Sequence, residues 1–369
     1  MKRWLPYKII AVVCGLLVSS CTTNDDGLDI NDSRVPVHLT LSFSGSATSR
    51  DVTSSDATLD YTTEAQSSIN DVYVLVVDAK TNKLKYLIED LDVDDIKDDY
   101  NTKSLTGTML RTIGDEQIRL VVLANLSQNQ ISNVSGDDMK AFLKNKINLD
   151  ISDIYNALVY NYDGTVTPWT IGKGNGNRCI PMWGQTIATS VPSQGAELSC
   201  NLYRAVAKVN IWVNMKQGIS GSSGDFTITK ITVNNTRTQG YCVSQQIPNN
   251  AASVQYTSPS VPITGNSFQS VVYSGLNQTK EYVDIIYLPE QDNTSLGASP
   301  VTLTVEYSYN GKSASGILEF IDENTKSAFD VIRNHSYIFN INKAEEISGK
   351  LYYTVDEWVE KTIDIPTFE

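Results

Sequence analysis

VPVHLTLSF, residues 35–43, is the stretch on which the reading of this chain turns. Its odd positions, Val35, Val37, Leu39, Leu41 and Phe43, are all large and apolar, and its even positions are not. Successive side chains on a strand point to opposite faces, so this period of two predicts a strand with one buried face. Pro36 brings no N–H to a ladder, which suits a sheet edge or the start of a strand. Downstream, residues 44–68 are a loose Ser/Thr/Asp-rich stretch with Arg50 in its middle, flanked by polar residues and so accessible.

Further along, the same logic finds many short strands. Residues 72–77 and 118–124 are continuous apolar runs, which predict central strands covered on both faces. Residues 203–213 (YRAVAKVNIWV) read as one strand ending near Trp212. Along 226–233 the apolar parity switches from Phe226/Ile228 to Ile231/Val233, predicting a bulge near Thr229 and Lys230. Val301, Leu303, Val305 and Tyr307 alternate with polar residues up to Asn310-Gly311, a strong hairpin signal, and the chain returns through 317–320. Residues 282–288, Tyr337/Phe339/Ile341 and Leu351/Tyr353/Val355 complete the pattern. Short helices are expected over 137–145 and 153–160, both opened by aspartates that favour a helix N-terminus. The expected fold class is all-β with minor α, arranged as two β-sandwich domains in tandem.

Composition narrows the function. The chain has 369 residues and a formal charge of −13, and it becomes more acidic if Lys2, Arg3 and Lys8 leave with a leader. Such a surface repels phosphate backbones, so no nucleic-acid partner is expected. Only two histidines are present, His38 on the polar face of the first strand and His335 in a turn before a strand; both read as surface or turn residues. The acidic run over 89–99 lacks the glycine and glutamate spacing of a calcium loop and reads as a solvated turn or helix. Gly172–Asn177 lacks a third dinucleotide glycine, and no GxSxG, HExxH or P-loop occurs. No catalytic residue, metal or cofactor is expected. Trp169 and Trp183, near Gly-rich loops, offer rings that could stack on sugars, but core packing is the favoured reading.

The amino end reads MKRWLPYKIIAVVCGLLVSSC. A basic start precedes an apolar run too short to span a bilayer, and small residues lead into Cys21. This resembles the lipobox of bacterial lipoproteins, in which the cysteine is acylated. Thr22 to Asp26 then looks like an acidic surface-export tether. Cys179, Cys200 and Cys242 remain, allowing one bridge at most, and read as buried free thiols.

Taken in order, the lipobox, the clean first strand, IRLVVLANL at 118–126, IPMWGQ at 180–185, YRAVAKVNIWV at 203–213, RNHSYIFNI at 333–341 and a tryptophan-bearing terminal double strand resemble the fimbrillins. These are type V pilins, exported as lipoproteins by anaerobic Gram-negative bacteria as major and minor fimbrial subunits. The resemblance implies transthyretin-like sandwiches and a place on the outer membrane and in the fimbrium, serving adhesion. It also implies an arginine-specific protease that removes the lipidated end with its first strand, and donor-strand exchange with other copies or related pilins. Cutting after Arg34 leaves the strand in place, whereas cutting after Arg50 removes it whole; Arg50 is therefore expected, with Arg34 the alternative. Losing Val35, Val37, Leu39, Leu41 and Phe43 would uncover a core at roughly 8–15 kcal/mol gross. The implied donor is C-terminal: Leu351, Tyr353, Val355 and Trp358, or Ile363, Ile365 and Phe368, where Pro366 and a parity shift weaken the pattern.

On this reading 1–20 is a signal peptide and 21–50 the lipidated tether with the removable strand. Residues 51–196 and 197–369 are the two sandwiches, the second ending in the donor strands. Expected partners are sister subunits, outer-membrane lipid through Cys21, the protease, and a host glycan or protein. The alternative reading is a tip adhesin or glycan-binding surface lipoprotein that does not enter a shaft.

Overall fold

The structure is a computed structural model. It describes residues 34–43, 69, 71–94, 102–127, 131–132, 134, 138–162, 179–213, 226–247, 251, 253–274, 276, 282–295, 299–321, 326–344 and 351–359. Among these, strands dominate and there are two short helices, in keeping with the all-β expectation. The chain begins with β1 (Arg34–Phe43), β2 (Val72–Asp78), β3 (Leu84–Ile88), β4 (Asp92–Asp94), β5 (Thr102–Leu110) and β6 (Ile118–Ala124). Helices α1 (Met139–Lys144) and α2 (Ile151–Ala157) and the short β7 (Val159–Asn161) follow, then β8 (Met182–Gln185) and β9 (Ala196–Arg204). All but β7 join one eight-stranded sheet in the order β3-β2-β6-β8-β9-β1-β5-β4. The ribbon curls, bringing β5 back near β3: a Cβ added at Gly107 would lie 3.2 Å from Ile88.

Strand β6 is buried along its whole length and β2 from Val74 to Val77, in keeping with their continuous apolar runs. Alternate residues serve two cores. Val74, Val76, Leu120 and Val122 join β1 in a cluster inside the curl, while Leu75, Val77, Val121 and Leu123 face the helices and a larger cluster. That larger cluster runs on into the second half of the chain, which begins with β10 (Val206–Val213), β11 (Phe226–Arg237), β12 (Gln239–Tyr241) and β13 (Phe268–Ser274). It continues through β14 (Tyr282–Pro289), β15 (Thr302–Tyr309), β16 (Lys312–Glu319), β17 (His335–Ala344) and β18 (Leu351–Val359). Two four-stranded sheets result, β14-β10-β17-β18 and β13-β11-β15-β16, and β12 pairs with β7. The bulge shifts the β11–β15 register between Ile228 and Lys230, and β15 turns into β16 with Asn310 and Gly311 both at positive φ.

Several expectations change. The single strand over 203–213 is two: Arg204 ends β9 in the first sheet, Ala205 interrupts, and β10 starts in another sheet. Backbone bonds from Ala205 to Pro181 and from Asn334 to Val206 hold the switch, and periodicity alone does not register a change of partners. The chain thus passes between sheets at Ala205. Part of the acidic run, Asp92–Asp94, is neither turn nor helix but an edge strand on β5, where charge discourages further pairing. The helices are shorter than expected, and α2 is capped by Asp150, whose side chain accepts from the Ser152 N–H.

Candidate assembly site: the seat of the first strand

β1 is not at an edge. It runs antiparallel to β5, from Arg34 opposite Leu110 to Ser42 opposite Thr102. On its other side it runs parallel to β9, from Val37 opposite Ala196 to Phe43 opposite Leu202. Pro36 is accommodated because the β9 ladder begins one residue later, at Val37, which fits the strand-start half of the expectation. The turn into β9 is shaped around it. Gly195 sits at φ +101°, and a Cβ there would fall 2.4 Å from the Pro36 carbonyl oxygen.

The buried face of β1 follows the alternation. Val35, Val37, Leu39 and Leu41 are each 6% exposed or less and pack with Leu105, Met109, Val74, Val76, Val191 and Leu202. The side chain of Phe43 lies outside the described residues. On the opposite face His38 is exposed and shares a hydrogen bond of 3.0 Å with the Ser104 hydroxyl, the surface role expected of it. Burial of four such side chains is worth roughly 6–12 kcal/mol gross.

Strand order makes β1 a bridge. Among the described residues β5 pairs only with β1 and β4, so withdrawing β1 would part β5 and β4 from the rest of the ladder. Other ties would still hold β5: Asp90 accepts from the Thr108 N–H at 3.2 Å and hydroxyl at 2.6 Å, and Leu110 N–H donates to the Tyr86 hydroxyl at 2.9 Å. Partial burial pushes the Asp90 carboxyl up, but the bonds from Thr108 outweigh it and hold the group below its usual range. The vacated space would be a slot with β5 on one side and β9 on the other, floored by apolar side chains.

Of the arginines considered for maturation, Arg34 is exposed yet lies within β1, opposite Leu110, and Arg50 lies outside the described residues, as does Cys21. Leu351, Tyr353, Val355 and Trp358 all belong to β18, which pairs with β17 along its length and forms an edge of its sheet. Leu351 is buried in the chain's own core, and Tyr353 bonds the Glu319 backbone. Ile363, Ile365 and Phe368 lie outside the described residues, as do Trp169 and residues 172–177.

Two aromatic and histidine assignments are settled by packing. Trp183 is 1% exposed, edge-on to Tyr155 and stacked on Tyr203, so it is a core residue with no face for a sugar. His335 is not a surface or turn residue; it opens β17 buried, its Nδ1 2.8 Å from the Arg333 carbonyl oxygen. Its neighbour Arg333 was not singled out by the sequence reading. The guanidinium is buried with Glu290, donating Nε to Oε2 at 2.9 Å and Nη2 to Oε1, and also reaches the Tyr241 carbonyl at 3.0 Å. Burial disfavours its charge, but the Glu290 carboxylate more than offsets this and raises its pKa. A single Arg and a single Glu far apart in sequence carry no local signal for such a pair. Cys200 and Cys242 are buried free thiols, Cys179 is half-buried, and no metal-holding cluster occurs among the described residues. No helix among them is long and apolar enough to cross a membrane.

The family model for fimbrillin-A associated anchor proteins Mfa1 and Mfa2 matches residues 30–364. The tip fimbrial protein Mfa3 of Porphyromonas gingivalis, with a C-terminal truncation, is similar in structure, with a TM-score of 0.51 at 15% identity over 88% of this chain and 100% of that one. A fimbrial assembly protein of Parabacteroides distasonis gives a TM-score of 0.46 at 16% identity, covering 88% of this chain and 95% of that one. At these identities the likeness concerns the fold alone. No curated protein matches the sequence.

Proposed function

The chain belongs to the fimbrillin-A associated anchor protein family, and from that premise we propose that it is a structural subunit of a cell-surface fimbria, joined to its neighbours by strand exchange at the seat of β1. In this reading the precursor is exported as a lipoprotein acylated on Cys21 and held at the outer membrane, and an arginine-specific protease cuts after Arg50. The segment carrying β1 leaves, and a strand from a sister or related subunit takes its place, extending a head-to-tail contact that does not close. Adhesion follows from display on the filament, and no catalytic step is involved.

The observation that carries the proposal is the position of β1: two strand neighbours and a row of four buried side chains on a segment next to the amino end. Arg34 is the poorer cleavage site, because a protease needs an unpaired extended substrate and Arg34 lies within a strand. Residues 351–359 already complete the chain's own sheet, which favours Ile363, Ile365 and Phe368 as the donor. A second reading, a tip adhesin or surface lipoprotein that keeps β1, is favoured by the completeness of the sheet while β1 is in place.

The test is limited digestion with an arginine-specific protease followed by sizing. Cleavage after Arg50 and high-mass oligomers are expected, with Arg50→Ala remaining monomeric. Polymerisation of Arg50→Ala at the parent's level would overturn the maturation assignment, and a parent that stays monomeric after the cut would favour the second reading.

A further inference from the structure

A strand at a sheet edge leaves half its N–H and C=O groups without a ladder partner, and folded chains guard such edges with charge or proline. The larger sheets of this chain end on β3, β4, β14, β18, β13 and β16. All but one of these strands carry a charged residue: Lys85 on β3, Asp92 on β4, Asp284 on β14, Asp356 on β18 and Lys312 on β16. The exception is β13, FQSVVYS at 268–274, which has neither charge nor proline. Among the described residues it pairs only with β11, so every second residue turns its backbone N–H and C=O away from the sheet.

The strand is also firmly seated. On its inner face Val271 and Tyr273 are buried, and the Tyr273 hydroxyl lies 2.9 Å from that of Tyr162. The Gln269 amide donates to the Tyr162 carbonyl oxygen at 2.7 Å. On the outer face Phe268 and Val272 are 45% and 53% exposed, and the Arg237 guanidinium carbon lies 5.1 Å from the Phe268 ring centre. An edge already held in place costs little further ordering when another strand docks on it.

We propose that β13 pairs antiparallel with β13 of a second copy about a two-fold axis, joining their two β13-β11-β15-β16 sheets into one. Full-length pairing centres on Val271, which meets itself. Ser270 then faces Val272 of the second copy and Phe268 faces Ser274, so each large outer side chain meets a small hydroxyl and no charges meet. That absence selects a copy as the partner. The chain carries a formal charge of −13, and an acidic edge such as β4 would set like charges side by side in a self-pair. At β13 two such chains can meet without that cost. The contact is isologous and stops at two copies, unlike a head-to-tail joint at the seat of β1. It needs neither cleavage nor strand exchange.

The test is sedimentation of the uncleaved full chain over a concentration series, in which a monomer–dimer equilibrium is expected. Val272→Lys, at an exposed position that leaves the core untouched, should raise the dimer dissociation constant roughly tenfold or more by setting charge into the joint. Ile317→Lys, at a position 58% exposed on the opposite edge strand β16, should leave it unchanged. The register is read separately. Ser270→Cys and Val272→Cys chains, mixed and oxidised, should form a disulfide between position 270 of one chain and 272 of another, identified by peptide mass. Links between like positions, in either variant alone, should be several-fold rarer. A parent that is monomeric at every concentration, a dimer unaffected by Val272→Lys, or cross-links with no preference for the 270–272 pair would each overturn the proposal.

Discussion

Leu39 and Leu41 are among the largest fully buried side chains, and each is flanked in sequence by residues that face the other way. Leu39→Ala should therefore cost about 2–5 kcal/mol, read as a lowered urea midpoint, while His38→Ala on the opposite face should cost under about 1 kcal/mol. The Arg333–Glu290 pair makes a sharper contrast. Glu290→Gln strands a buried guanidinium and should cost about 3–5 kcal/mol. A urea midpoint within error of the parent would show that the pair is not a structural tie. Such residues divide cleanly by legibility. The alternation of β1 was plain because every inward position is apolar. His335 and Arg333 were not legible, because the burial of Arg333 depends on partners brought from elsewhere, Glu290 just after β14 and Tyr241 at the end of β12.

At the scale of elements, β5 explains most of what the sequence hid. Its inward positions are Lys103, Leu105, Gly107 and Met109, so a lysine and a glycine interrupt the apolar row that would have revealed it. Yet β5 is one wall of the seat, and a side chain at Gly107 would crowd Ile88, whose methyl lies 3.2 Å from a Cβ built there. The β9 wall depends on Gly195 in the same way. Gly195→Ala would meet both a positive φ and the Pro36 carbonyl, and should destabilise the chain by more than about 1 kcal/mol in chemical denaturation. Acid should loosen the other wall. The Asp90 carboxyl is held low in the folded chain, so its contribution is present above about pH 4 and fades as the pH falls through the folded value. Asp90 is largely exposed, so the loss should stay below about 1 kcal/mol. Asp90→Asn should flatten the acid limb of a stability–pH curve; an unchanged limb would mean that Thr108 is not held by this charge.

For the whole molecule, the decisive comparison is between one strand and the fold. Roughly 6–12 kcal/mol gross sits on the buried face of β1, while whole domains are stable by about 5–15 kcal/mol. Spontaneous loss of β1 would therefore endanger the first sheet, and assembly requires that an incoming strand take over its contacts as it leaves. The same arithmetic explains why period-two alternation near the amino end could point to a joint between molecules, whereas sheet order, which makes β1 a bridge between β9 and β5, was not readable from any local pattern. The most direct measurement is a reversible lock. His38→Cys and Thr106→Cys face each other across β1 and β5 on the outer side and can be joined as a disulfide. After digestion with the arginine-specific protease, the oxidised protein should remain monomeric by sizing with its amino-terminal peptide retained, and adding reductant should release the peptide and start polymerisation. Polymers forming equally well with the lock closed would contradict the claim that β1 must leave its seat for the subunits to join.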